Sequence, residues 1–171
     1  MTMTTSTLRS TAGAALLAGA AATVAFDFFG QSLSPMLGLP QLSPVPLANG
    51  VIQALTGSGW GPGAQLLHYL AGVIAYPLGW LLLAESLSRR VAPDLPWSVA
   101  AAAYGIVLWA FALYGMAHLI AGMPAFLGFG TMTWVALVGH VLFALVAAGV
   151  ARRQTGWSAA PASAVGQAAF A

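Results

Sequence analysis

Four stretches of the chain, residues 11–29, 64–84, 98–121 and 130–151, are almost continuously apolar. Each is close to the ~20 residues whose rise of about 1.5 Å per residue carries a helix across a hydrocarbon core of about 30 Å. Hydrocarbon offers the backbone no hydrogen-bond partners, so such runs are helical, and they lack the apolar–polar alternation of a barrel strand. The pattern therefore predicts an all-α polytopic membrane protein. Its transmembrane domain is a four-helix antiparallel bundle over residues 11–151, with an N-terminal segment 1–10 and a tail 152–171.

The connections differ in character. Residues 30–63 carry Pro35, Pro40, Pro44 and Pro46 and no charged residue, so this loop is expected on the membrane surface or capping the bundle. A short interfacial helix is predicted over 47–55, with Gly57, Gly59, Gly61, Pro62 and Gly63 breaking the chain before the second span. The connection 85–97 is short and charged, which predicts spans two and three as adjacent antiparallel neighbours. Residues 122–130, with Pro124, form the turn into span four, and the Ala-, Ser- and Gly-rich tail from Gln154 is expected to be disordered.

Composition excludes a soluble domain: 60% of the 171 residues are hydrophobic and 5% charged, against roughly 25% charged in ordinary soluble domains. The length suits one domain of a few spans without a separate soluble catalytic unit. The absence of cysteine removes disulfides, thiolate metal sites, iron–sulfur clusters and cysteine nucleophiles. All the basic residues are arginines, and they form no nucleic-acid-binding patch. Arg9 precedes the first span, Arg89 and Arg90 follow the second, Arg152 and Arg153 follow the fourth, and the two other connections contain none. The positive-inside rule then places both termini in the cytoplasm of a cell whose inner membrane holds the protein. Trp97 and Trp157 fit one interfacial belt, and Trp60 and Trp134 the other. A competing reading takes residues 1–22 as a cleaved signal peptide; the apolar run through Phe26, Phe28 and Phe29 argues against it.

Asp27, His68, His118 and His140 are the ionisable residues within the spans away from the arginine-bearing side. Helical rise places Asp27, His68 and His118 within about 3–6 Å of the outer ends of their helices, and His140 about 15 Å in. Such groups face a bundle interior or water, because lipid exposure costs about 2.5–3.5 kcal/mol per charge. Each stands in a stripe of helical spacing: His68, Gly72, Ala75 and Gly79; His140, Ala144, Ala147 and Ala151; Asp27, Thr23 and Ala20; and His118, Gly115 and Phe111. Small residues let helices approach, so these stripes are expected to meet in a tight bundle enclosing the polar cluster. Pro77 is expected to kink span two and free the carbonyl of Val73.

Several roles fit the cluster. His68, His118 and Asp27 are ligand types for a divalent metal. His68 and His118 on antiparallel helices suit the axial positions of a haem b. Asp27 and the histidines also suit quinone binding or proton handling. The alternative is a hydrogen bond from Asp27 to a histidine that fixes packing with no cofactor. Phosphate-loop, Gly-x-Ser-x-Gly and His-Glu-x-x-His motifs are absent, and no catalytic residues are identified. The sequence thus reads first as a non-enzymatic structural or accessory subunit, whose partners are the bilayer and other membrane subunits. Ligand-binding or redox protein, and small proton-coupled transporter, are the alternatives; the lack of an internal repeat weighs against the last.

An aspartate late in span one (ATVAFDFF, residues 22–29), an early histidine in span two (LLHYLAGVIAY, residues 66–76), a glycine-interrupted span three and a mid-span histidine in span four resemble the YagU-like group of small bacterial inner-membrane proteins, over about residues 12–151. The resemblance implies a four-helix inner-membrane protein of unassigned activity and carries over no catalytic residue.

Overall fold

The computed structural model describes residues 5–154 in backbone and 12–154 in side chains. Four helices are long and apolar enough to cross a membrane: Ala12–Met36, Gly61–Val91, Trp97–Ile120 and Thr131–Gln154. These spans make the chain a multi-pass membrane protein of all-α class, with no strand among the described residues. The tail beyond Gln154, including Trp157, lies outside the described residues.

Each predicted span is present, and each differs at its ends for a local reason. Span one runs past residue 29, because a wide turn at Phe29–Leu33 lets the Ser34 N–H reach back five residues to the Phe29 carbonyl. Pro35 then sits in the first turn of the terminal segment Ser34–Met36, where its missing N–H costs nothing. Span two starts at Gly61 because Pro62 occupies its first turn; the Gly–Pro–Gly run expected to break the chain initiates the helix instead. The interfacial helix is longer than the predicted 47–55, spanning Pro44–Thr56 with Pro44 at its start. It ends at Gly57, whose left-handed φ of 84° lets its N–H cap the Gln53 carbonyl.

The loop between spans one and two is a structured cap. Its strand-like return is pinned by Leu42 N–H donating to the Gly30 carbonyl at 2.9 Å and by the buried Ser34 hydroxyl donating to the Pro40 carbonyl at 2.7 Å. A Cβ on Gly30 would lie 2.6 Å from the Leu42 carbonyl oxygen, so only glycine admits this approach. Leu42 enters the core beside Phe26, Phe29 and Ala136.

Span four is the hub of the bundle, packing along its length against spans one and three. Its buried face includes Ala136, His140, Phe143, Ala144, Ala147, Ala148 and Ala151. Spans two and three touch near their short connection, where Trp80 and Tyr104 pack, with ring centroids 5.8 Å apart. They are therefore neighbours at that end alone. Toward the other end they diverge, and the Pro44–Thr56 helix bridges the start of span two to the end of span three. The diverging helices leave an open space under this cap.

The helix around Pro77 is irregular. Wide turns flank the proline at Leu70–Ala75 and Trp80–Ala84, where the Tyr76 N–H donates to the Ala71 carbonyl and the Glu85 N–H to the Trp80 carbonyl, each five residues back. The Val73 backbone lies against Gly19 of span one so closely that a Cβ there would come within 2.6 Å of the Val73 carbonyl carbon and 2.7 Å of the Pro77 ring. The helix irregularity and the glycine on its neighbour thus form one contact.

Candidate functional site

Divergence of spans two and three leaves a cavity of about 620 Å³. Its walls come from all four spans and its roof from the cap, through Leu47 and Val51 among others. Phe26, Leu113, Met116, Met132 and Phe143 make it chiefly apolar, and His68, Tyr76 and His140 supply polar groups. Both the size and the sparse polar lining are those of small-molecule sites, which run about 300–1,000 Å³.

The expected polar cluster is divided. Asp27 and His68 meet, with His68 Nε2 3.2 Å from each carboxylate oxygen of Asp27, and the Asp27 carboxylate also accepts a bond from the Gln31 amide at 3.2 Å. This pair ties the C-terminal half of span one to span two. His140 is buried in span four, where its Nδ1–H donates to the Ala136 carbonyl one turn back at 2.7 Å and its ring meets the edge of Phe26 at 5.2 Å. His68 and His140 both line the cavity; His118 does not.

His118 belongs to the turn into span four. Its Nδ1–H donates to the Met123 carbonyl at 2.8 Å, and its ring lies against Tyr114. Beyond it the backbone is left-handed at Phe126, Leu127 and Phe129 (φ 48°, 54° and 56°) as well as Gly128. For non-glycine residues that conformation costs roughly 1–2 kcal/mol each. It is held by Thr133, fully buried, whose hydroxyl donates to the Phe126 carbonyl at 2.5 Å, and by stacking of Phe126 on Trp109 and Tyr114. Trp109 Nε1–H in turn donates to the Thr133 carbonyl at 3.0 Å.

The three-ligand metal reading of His68, His118 and Asp27 is therefore corrected: among the described residues no group of three or more His, Cys, Asp or Glu side chains is placed to hold a metal ion. The bis-histidine haem reading meets the same obstacle, because His118 stands outside the cavity and is committed to the Met123 carbonyl. A wide-turn register over Phe111–Ile120, closed by the Ala121 N–H on the Met116 carbonyl, orients this histidine.

The small residues also separate. Gly72 faces Thr23 and Gly79 faces the Tyr104 hydroxyl, both at distances where a Cβ would collide. Ala144 and Ala147 are buried at the hub. Ala75, by contrast, lines the cavity, and Gly115 meets only Phe111 of its own helix, at an ordinary 3.5 Å. The closest approaches between spans use glycines outside the stripes read from the sequence: Gly19 of span one, against Val73 of span two, and Gly105, where an added Cβ would stand 2.6 Å from Val141 Cα and 2.7 Å from the His140 carbonyl oxygen.

Tyr76 lines the cavity and is not among the candidate residues read from the sequence. Its carbonyl accepts from the Tyr104 hydroxyl at 2.7 Å and its ring meets the edge of Phe143 at 5.8 Å. The available signal was the adjacent Pro77, since irregular helix positions are where a bundle opens. Thr23 also lines the cavity wall, with its buried hydroxyl lacking a hydrogen-bond partner among the described residues.

Compared with protein-family models, with curated proteins and with solved structures, the chain finds no match in any of the three.

Proposed function

We propose that the protein binds an apolar, lipid-soluble small molecule in the cavity between spans two and three. The observation that carries this reading is the cavity itself: about 620 Å³, chiefly apolar, roofed by an ordered cap and bearing His68, Tyr76 and His140. A bundle whose small residues served close packing alone would close this space, as the other end of the same bundle does around Trp80 and Ala101. Quinones belong to this ligand class. The distribution of arginines supports placement in an inner membrane with both termini cytoplasmic.

The test fills the cavity without touching the core. Ala75 lines the cavity and is exposed, so Ala75→Trp projects a large ring into the space and leaves the hub contacts of span four intact. Wild-type protein purified in mild detergent is expected to carry a stoichiometric lipid-soluble compound, detected by mass spectrometry of an organic extract, and Ala75→Trp to carry much less. Equal content in the two proteins would overturn the reading.

A structural or accessory-subunit role is the second reading. The Asp27–His68 pair favours it, since a polar link between spans one and two fixes their pairing whether or not a ligand is present. On that reading a partner subunit copurifies in mild detergent and the extract carries no stoichiometric compound.

A further inference from the structure

We propose that the cavity selects a ligand bearing a free hydroxyl, a lipid-soluble alcohol or phenol, over the matching ketone or ether. The inference deepens the ligand-binding reading and rests on it. It follows from which proton each cavity side chain has already committed.

His140 fixes the chemistry. The Ala136 carbonyl can only accept, so His140 Nδ1 carries the hydrogen at their 2.7 Å contact. A second proton on this ring would place a charge in an apolar, buried site, and the carboxylate nearest the cavity, Asp27, is engaged by His68. The neutral ring therefore presents Nε2 as an acceptor, and the side-chain hydrogen bond this residue makes among the described residues is the one through Nδ1. A ligand that satisfies it must donate.

Tyr76 supplies the complementary half. Its backbone carbonyl is taken by Tyr104, while its hydroxyl makes no hydrogen bond among the described residues and belongs to a residue lining the same cavity. A phenol hydroxyl both donates and accepts. The cavity thus offers His140 Nε2, which can only accept, beside hydroxyls of Tyr76 and Thr23 that can donate, a set matched by a ligand hydroxyl, which does both. A ketone or ether oxygen serves Tyr76 but leaves His140 Nε2 unpaired, and sites built around a substrate hydroxyl discriminate strongly against analogues lacking it.

The experiment uses the full chain in nanodiscs and two probes of nearly equal size, 4-nonylphenol and its methyl ether 4-nonylanisole, with binding measured by equilibrium dialysis. The phenol is expected to bind about tenfold more tightly, the ratio equivalent to about 1.4 kcal/mol. In His140→Leu the phenol is expected to fall to the affinity of the ether, and in His140→Gln, whose amide oxygen restores an acceptor, part of the preference returns. Equal binding of the two probes to wild-type protein would overturn the hydroxyl selection and leave the apolar cavity standing. Failure of both probes to bind would overturn the cavity reading as well. The wild-type comparison decides the matter even if the His140 variants do not fold.

Discussion

Gly105 and Gly115 lie ten residues apart on span three and look equally suited to helix packing, yet the structure separates them sharply. An added Cβ at Gly105 would stand 2.6 Å from Val141 Cα and 2.7 Å from the His140 carbonyl oxygen, whereas ordinary contact begins near 3.4 Å. Spans three and four would have to part by about 0.8 Å, and because both groups are backbone, no side chain can rotate away. Overpacking of this kind costs about 1–3 kcal/mol, and the upper part of that range applies where the backbone must move. At Gly115 the nearest atoms belong to Phe111 at 3.5 Å, so Gly115→Ala introduces no clash and gains up to about 1 kcal/mol of helix propensity. Gly105→Ala and Gly115→Ala are thus expected to differ in stability by about 2–3 kcal/mol. Reversible unfolding in mixed detergent micelles, followed by the fluorescence of buried Trp80 and partly buried Trp109, reads this difference. Because the His140 carbonyl is one of the atoms displaced, Gly105→Ala is also expected to weaken cavity binding. Equal stability of the two alanine variants would refute the argument that backbone contact between spans three and four sits at Gly105.

The remaining predictions concern polar contacts. Asp27→Leu strips His68 of its carboxylate partner and is expected to cost about 1–3 kcal/mol, with Asp27→Asn recovering much of it because the amide oxygen still accepts from Nε2. A double-mutant cycle with His68→Leu should then show coupling of at least about 0.5 kcal/mol, and strict additivity would count against the pair. His118→Phe keeps the ring against Tyr114 but removes the bond to the Met123 carbonyl, with an expected loss of about 1 kcal/mol. Thr133→Val releases the Phe126 carbonyl from its one side-chain donor and frees the left-handed turn, so proteolysis within residues 125–129 should accelerate; an unchanged cleavage rate would show that aromatic stacking alone holds the turn.

How much of this was legible in the sequence depended on whether each helix kept its hydrogen-bond register. Span four is a regular α-helix from Thr131 to Gln154, and its stripe of His140, Ala144, Ala147 and Ala151, read at spacings of three and four, is buried throughout. Spans two and three contain wide turns in which each bond reaches back five residues, over Leu70–Ala75, Trp80–Ala84 and Phe111–Ile120. Every such turn inserts a residue and rotates all that follow by about 100° relative to a regular helix. That rotation turns Ala75 into the cavity and removes Gly115 and His118 from the bundle interior, although their spacing in the sequence is that of a packing face. Depth along the helix survives the insertion of one residue with an error of about 1.5 Å, so the common level of Asp27 and His68 was readable and their meeting follows from it. Azimuth does not survive, so the third member assigned to that level faces a loop carbonyl.

The same register shifts account for the cavity. Two regular helices leaving the short connection at residues 92–96 would pack along their whole length, their small residues in contact. Wide turns in both helices, with Pro77 between two of them in span two, change the faces that meet. Contact therefore persists at Trp80 and Tyr104 and fails beyond Tyr76, where the glycines and alanines of span two face span one or open space. The cap can roof that space because Gly30 admits Leu42 and Pro44 starts a helix at once, so the apparent linker of residues 30–63 is fixed from both ends. Wide turns are concentrated at functional sites in helical proteins, since they aim side chains that a regular helix would hide. Here Tyr76, immediately after the first wide turn of span two, shares with His140 the lining of the space those turns open. A straightened span two would test the causal order. Pro77→Ala restores one backbone donor, and if the divergence arises from the helix register, that variant should lose both cavity binding and the Gly19 contact while gaining stability; retention of full binding would place the origin of the cavity in the cap.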